Sequence, residues 1–566
     1  MTVLRLLLCL TALTVGCESG SYTPPIGLVT HQQITYSDGL HNENTEMITL
    51  SDRIVLIFRG GETAQIGSDR AHINVYASTD GGKTFVKQSE VSAAALPGMR
   101  DIRDPKLVEM NGSLYLYAIS RLPGGHYRDL LGQAWTVRAE SKDRGMTWTD
   151  PVKTFTDLAP SGAETYWGFW RYTKRTYMDG GAPRTKLYAL GYDDGDIDVG
   201  MFSSDDGITW QKESIVVSSY ADVPSEAELK FFGDDQQTAV AIVRMDNQGI
   251  LQDGQSAICT SKAPFSSWEC GRRIEQRLDG PTWIEHDLDG VTRHFVVARK
   301  HLPCTAKRTA LYELRGDLAD PEAHIQVCEL QELTSAGDTA YTALASLGGD
   351  RYLTSWYSTP VPATGDIPWL EGTFLPSDIW TAEVDLSKVP SECNPPPKKR
   401  ACEPAALPSG KREAQSGDYL LALAPVIYPS QLLTFRATVS LHGSQLDLSM
   451  QPLDAKTKAA LGAPWTVSSV PVSSTGRFDA NLDGQSVPGA TFPLLDDPFL
   501  TLYQLHLVGT MTSATTFCGN VEGYAQTLGT EAADRIQLPG STFGAVAITG
   551  STLPSPVGSC TPSEAR

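Results

Sequence analysis

An eight-residue pattern, Ser-x-Asp-x-Gly-x-Thr-aromatic, is written three times in the first half of this chain: Ser78 to Phe85, Ser141 to Trp148 and Ser203 to Trp210. The copies recur roughly every 62 residues, and self-similarity at a fixed period marks an architecture assembled from one repeated supersecondary unit. Residue types give the pattern a structural purpose. The Asp can accept hydrogen bonds from the N–H groups of a tight turn, the Gly supplies a positive φ, and the aromatic ring buries against neighbouring strands. Asp80, Asp143 and Asp205 are therefore read as turn residues and not as catalytic ones.

Between Gln33 and Ser387 short apolar segments alternate with Gly, Asp, Asn and Pro, the signature of an all-β fold. Six cycles can be drawn: Gly39 to Phe85, Arg100 to Trp148, Gly168 to Trp210, Ser225 to Trp268, Gly280 to Cys328, and Thr339 to Val384. Pro264-Phe265-Ser266-Ser267-Trp268 is a degenerate copy of the staple in the fourth. Six such cycles arranged radially make a six-bladed β-propeller. At 566 residues the chain is too long for a single ordinary core. The Pro-rich, basic stretch around Cys393 to Cys402 reads as a linker, and the strands beyond it as a small β-barrel or β-sandwich. The expected division is a signal peptide over 1–16, a tether over 17–32, the propeller over 33–388, the linker over 389–415 and a C-terminal β domain over 416–566.

A net charge of −20 excludes nucleic acid as the main partner, because a phosphate backbone meets repulsion over such a surface. The N-terminus carries Arg5 and then an apolar run from Leu6 to Val15, too short to span a bilayer and suited to secretion. Leu13-Thr14-Val15-Gly16-Cys17 resembles a bacterial lipobox, which implies lipidation of Cys17 and a membrane-anchored, exported protein; plain secretion is the alternative. With Cys9 set aside in the signal segment, eight further cysteines in an oxidising compartment point to disulfides, nearest-neighbour pairing being the simplest arrangement. With no Cys-x-x-Cys and no His-Glu-x-x-His, neither a metal site nor a cofactor is expected.

Polar residues at the ends of inner strands face a propeller's central cavity, which singles out His41, Asn42, Arg59, Arg103-Asp104-Pro105-Lys106, Trp170-Arg171, Glu226, Arg244, Arg299 and Tyr341. The repeated staple is similar to the Asp-box of the sialidase (neuraminidase, BNR-repeat) superfamily, over about Gly39 to Ser387. Ser225-Glu226-Ala227-Glu228-Leu229 leading to Val243-Arg244, and Ala340-Tyr341-Thr342-Ala343-Leu344, resemble the sialidase segments carrying a Glu, a carboxylate-binding Arg and a nucleophilic Tyr. The resemblance implies an exo-glycosidase for terminal sialic or related acidic sugars. Tyr341 would be the nucleophile, Glu226 its base, and Asp69 or Asp104 the acid/base. Arg59, Arg244 and Arg299 would clamp the carboxylate, with Arg103, Lys106 and Arg171 as further substrate contacts. A phenol suits a sugar whose anomeric carbon bears a carboxylate, since a carboxylate nucleophile would be repelled.

The chain departs from that family where the first blade usually opens with Arg-Ile-Pro and here reads Asn42-Glu43-Asn44-Thr45-Glu46-Met47. Arg59 or Arg103 would have to stand in. Each candidate also has a plain structural reading: Arg59 and Arg299 paired with neighbouring carboxylates, Asp104 capping its turn, Tyr341 and Trp170 packed. The alternative function is a non-catalytic surface propeller that binds a glycan or a protein.

Overall fold

The computed structural model describes residues 25–560, apart from 65–70, 93–100, 122–133, 159–163, 166, 194–197, 220, 234, 247–253, 364, 397–401, 414–415, 493–498 and 528–535. Between Val29 and Asp385 lie six four-stranded antiparallel sheets. They form the blades of a propeller whose inner strands are His41–Thr49, Asp101–Met110, Gly168–Asp179, Pro224–Phe232, Asp279–Leu288 and Thr339–Gly348. Blades 1 to 5 run outward in chain order. Blade 6 borrows its outer strand from the N-terminus, with Val29–Tyr36 antiparallel to Asp378–Asp385, so the first and last parts of the domain close the ring together.

Both faces of each blade are buried, which explains the unbroken apolar second strands. In Ile54–Phe58, Val55 and Ile57 pack towards blade 2 while Ile54, Leu56 and Phe58 pack towards blade 6, as a period of two requires. Six hydrophobic clusters fill the six spaces between neighbouring blades, the last joining Ala343, Leu353 and Ile379 of blade 6 to Leu56 and Phe58 of blade 1.

The staples behave as their residue types suggest. Asp80 accepts from the N–H groups of Lys83 and Thr84, Ser78 Oγ accepts from the Gly82 N–H, and Asp143 does the same for Thr147. Ring nitrogens add a link to the outer strand of the preceding blade: Trp148 Nε1 donates to Ser89 Oγ, and Trp268 of the degenerate copy donates to Ser214 Oγ. The third copy is shifted by one residue from the expected alignment. Asp206 accepts from Ile208 and Thr209, with Ser204 on the Gly207 N–H, whereas Asp205 points outward to Arg184. The turn is one residue shorter, so the Asp beside the Gly is the one that reaches the N–H groups. Replacing Asp206 by Ala is expected to cost about 1–2 kcal/mol in a denaturant titration, while Asp205→Ala leaves the midpoint where it was.

The C-terminal unit is a single curled sheet. Its strands follow the order Trp465–Pro471, Gln445–Pro452, Leu433–His442, Gly417–Ala424, Ser541–Ala547, Thr516–Thr527, Phe499–Ser513 and Arg477–Asn481, and a bridge from Val472 to Phe478 nearly closes it into a barrel. Leu421, Phe435, Met450, Leu507 and Phe543 fill its interior.

Four disulfides are present among the described residues. Cys259–Cys270 and Cys518–Cys560 follow nearest-neighbour pairing, but the middle four interleave as Cys304–Cys402 and Cys328–Cys393. The linker folds back on blade 5, where the Glu329 N–H donates to Asn394 O, so its cysteines meet partners in the propeller and not each other. Four disulfides fit an oxidising, exported setting. No helix among the described residues is long and apolar enough to cross a membrane. Cys17 lies outside those residues.

Candidate active site

Every inner strand breaks register with its neighbour at the same depth. The breaks fall between Glu43 and Glu46, Arg103 and Lys106, Phe169 and Tyr172, Pro224 and Ala227, Asp279 and Thr282, and Ala340 and Ala343. A bulge frees residues from the ladder and re-aims their side chains. Those between the breaks are Asn44-Thr45, Asp104-Pro105, Trp170-Arg171, Ser225-Glu226, Gly280-Pro281 and Tyr341-Thr342. Asn44, Asp104, Gly280 and Tyr341 take positive φ there. Three non-glycine residues held in that region represent stored strain, which concentrates at functional sites.

Tyr341, from the break in blade 6, and Glu226, from the break in blade 4, meet. Tyr341 Oη donates to Glu226 Oε1 at 2.5 Å. Arg244 Nη1 donates to the same oxygen at 2.6 Å and to Tyr341 Oη at 3.3 Å, and the Gly280 N–H holds Glu226 Oε2 at 2.7 Å. Gly280 is required twice over: its φ is +55°, and a Cβ would sit 2.7 Å from Tyr341 Cδ1. The guanidinium of Arg299 lies 4.7 Å from the centre of the Tyr341 ring, Trp170 meets that ring edge-on, and Tyr357 lies roughly parallel to it.

Burial and the charge of Asp279 push the Glu226 carboxyl above its ordinary range against the pull of Arg244, while burial and the Glu226 charge push the Tyr341 phenol well up. The phenol is thus protonated at rest, with a basic carboxylate on its proton. Such a pair can present a nucleophilic phenolic oxygen as its proton passes to the carboxylate, without forming free phenolate.

The other sequence candidates divide by location. Arg244 and Arg299 share Asp279, at 3.2 and 3.7 Å, and that carboxylate also accepts from Arg277 and contacts His301. Among the described residues no hydrogen bond engages Arg244 Nη2 or Arg299 Nη1. Arg59 is fully buried between Glu43 and Asp101, and Arg103 bonds Glu43 and the Ala64 carbonyl. Asp104 accepts from Asn44 Nδ2 at 2.6 Å. Lys106 Nζ lies 4.5 Å from the centre of the Trp170 ring, and burial with the nearby Arg171 charge pushes it down to about 8.

Arg171 lies deeper. It donates to the Pro281 carbonyl, Glu46, Thr282 and the Thr342 carbonyl, tying blade 3 to blades 1, 5 and 6 across the axis. Beyond it, towards the C-terminal ends of the inner strands, a cavity of about 410 Å³ opens between Ile48, Leu107, Tyr172, Lys230 and Glu285. The Arg171 layer separates that cavity from Tyr341. Asp69 lies outside the described residues.

Sequence reading passed over Asp279, Asp338, Asp246 and Tyr357, which hold the arginines. Asp279 and Asp338 open inner strands, the same positional signal that drew attention to Glu226.

Fold and site together define a six-bladed propeller with a tyrosine–glutamate–arginine centre at one mouth of its axis. No family model matches the chain, and no curated protein matches it. Among solved structures it is similar to a protein of unknown function from Dyadobacter fermentans, with 17% identity, a TM-score of 0.46, and coverage of 64% of this chain and 100% of that one. It is also similar to the intramolecular trans-sialidase from Ruminococcus gnavus, with 11% identity, a TM-score of 0.45, and 63% and 96% coverage. The Trypanosoma rangeli sialidase matches at 10% identity and a TM-score of 0.42, over 92% of this chain and 91% of that one.

Proposed function

We propose that the chain is an exported glycoside hydrolase of sialidase type that removes terminal sialic or related acidic sugars with retention of configuration. The observation that carries the reading is the 2.5 Å contact from Tyr341 Oη to Glu226 Oε1, with Arg244 on both groups and Arg299 over the ring. In the first step Glu226 takes the phenolic proton as Tyr341 Oη bonds to the anomeric carbon and the leaving alkoxide is protonated by an acid. Water then attacks the glycosyl–tyrosine, its proton passing to the same acid/base, and Tyr341 recovers its proton from Glu226. Asp104, on the bulge of blade 2 and near enough for its charge to act on Tyr341, is the described candidate for that acid; Asp69 is the other. Arg244 Nη2 and Arg299 Nη1 are the donors available to a substrate carboxylate.

The test is hydrolysis of a panel of aryl glycosides of acidic sugars, with the first-formed anomer followed by NMR. Turnover with retention supports the reading. Binding of acidic glycans without turnover by the wild type would instead establish a non-catalytic propeller.

The pH profile has a defined sign. Glu226 must be ionised to accept the proton, and its folded pKa is raised above the usual 4.5 by burial and by Asp279, with Arg244 and Arg299 opposing. Activity therefore falls as pH drops through that raised value. The acidic limb of kcat/KM, which reports the free enzyme, is expected above pH 4.5, and a limb below it would remove Glu226 from the role of base.

A further inference from the structure

Beside the Tyr341 pocket, where blade 6 meets blade 1, three buried side chains converge with one atom each unspent. His41 Nδ1 lies 2.6 Å from the Leu375 carbonyl, an acceptor only, so Nδ1 carries the ring proton. Its Nε2 is wholly buried, makes no hydrogen bond, and faces Asp338 Oδ2 at 3.3 Å and Glu43 Oε2 at 3.8 Å. The partner oxygens of those carboxylates are already engaged. Asp338 Oδ1 accepts from Arg299, Tyr357 and Trp369, and Glu43 Oε1 from Arg59 and Arg103.

A protonated Nε2 has a simple way to satisfy itself, an N–H bond of about 2.7–2.9 Å to one carboxylate. It adopts no such geometry and stands between two. The three free atoms, one imidazole nitrogen and two carboxylate oxygens, lie within 4.8 Å of one another. Bonds of about 2.0–2.2 Å to a tetrahedral cation place neighbouring ligand atoms roughly 3.4 Å apart, close to the 3.3 and 3.8 Å from His41 Nε2 to the two oxygens. A backbone carbonyl on the second ring nitrogen is the usual way a ligating histidine is oriented.

We infer that His41 Nε2, Glu43 Oε2 and Asp338 Oδ2 bind a divalent cation of the zinc class, which clasps the first and last blades at the ring's closing seam. The inference does not depend on the glycosidase reading. Sequence spacing concealed it, because two ligands stand at the start of blade 1 and the third at the start of blade 6, outside any short motif.

The full-length protein, stripped with a chelator, is titrated with zinc chloride and followed by elemental analysis, calorimetry and thermal unfolding. One zinc per chain and a rise in Tm of roughly 2–5 °C are expected, with cobalt giving the visible bands of a low-coordinate site. His41→Gln and Glu43→Gln should each lose the bound metal and the Tm rise. If either variant fails to fold, histidine ¹⁵N shifts of the wild type decide: zinc should move His41 Nε2 and leave Nδ1 protonated. Absence of stoichiometric metal and of a Tm response overturns the inference in favour of an imidazolium shared by two carboxylates. Zinc retained by a folded His41→Gln variant overturns it equally.

Discussion

Replacing Tyr341 by Phe is expected to lower kcat on an aryl sialoside at least ~10³-fold, the scale on which loss of a nucleophile is felt. Stability should hardly change. The ring keeps its contacts with Trp170, Tyr357 and the Arg299 guanidinium, and Glu226 retains Arg244 and the Gly280 N–H as partners. A variant that unfolds at the parent's temperature and has lost its burst of aglycone identifies the phenolic oxygen as the attacking atom. Parent-like rates from the same variant would sink the tyrosyl mechanism. Glu226→Gln should also be slow, but it removes the base and leaves the nucleophile. A pH-independent residual rate would then distinguish it from Tyr341→Phe.

Changing Arg171 to Met should act through stability. Its guanidinium spans the axis to Glu46, to Thr282 and to two carbonyls, and also lies 3.4 Å from Glu228. Without it, Glu46 and Glu228 remain buried with one cationic partner fewer. Breaking a buried pair in this way costs about 3–5 kcal/mol, which should appear as a large fall in the propeller's denaturation midpoint. Pairing it with Glu46→Gln should recover part of the loss. A stable Arg171→Met protein with a raised KM would instead make Arg171 a substrate contact, the role the sequence reading gave it.

That contrast shows where sequence reading reached and where it stopped. Strand alternation and the repeated staple carry the propeller, because both follow from local chemistry: a period of two and a turn that needs Ser, Asp and Gly. Tyr341, Glu226, Arg244 and Arg299 could be picked out because they are polar groups at strand ends, where a propeller's axis lies, and, for Tyr341, Glu226 and Arg244, because their segments resemble those of sialidases. The shared bulge was not visible, since a register break leaves no fixed residue type; its six versions here run from Asn44-Thr45 to Tyr341-Thr342. For the same reason Arg171 looked equivalent to the arginines of the pocket although it sits below them. The third staple misled by one position because Asp205 and Asp206 are adjacent and only the turn length chooses between them. Disulfide connectivity failed where the linker doubles back, a tertiary event with no local signal.

The outer strand of blade 6 has a further consequence. Val29–Tyr36 can pair only with Asp378–Asp385, so as the chain emerges from its N-terminus this strand must remain unmated until the whole ring has been made. Folding of the first domain is therefore committed late, by a contact between its two ends. Nonlocal closure of this kind is slow, so the ring is sealed only after the blades between its two ends have formed.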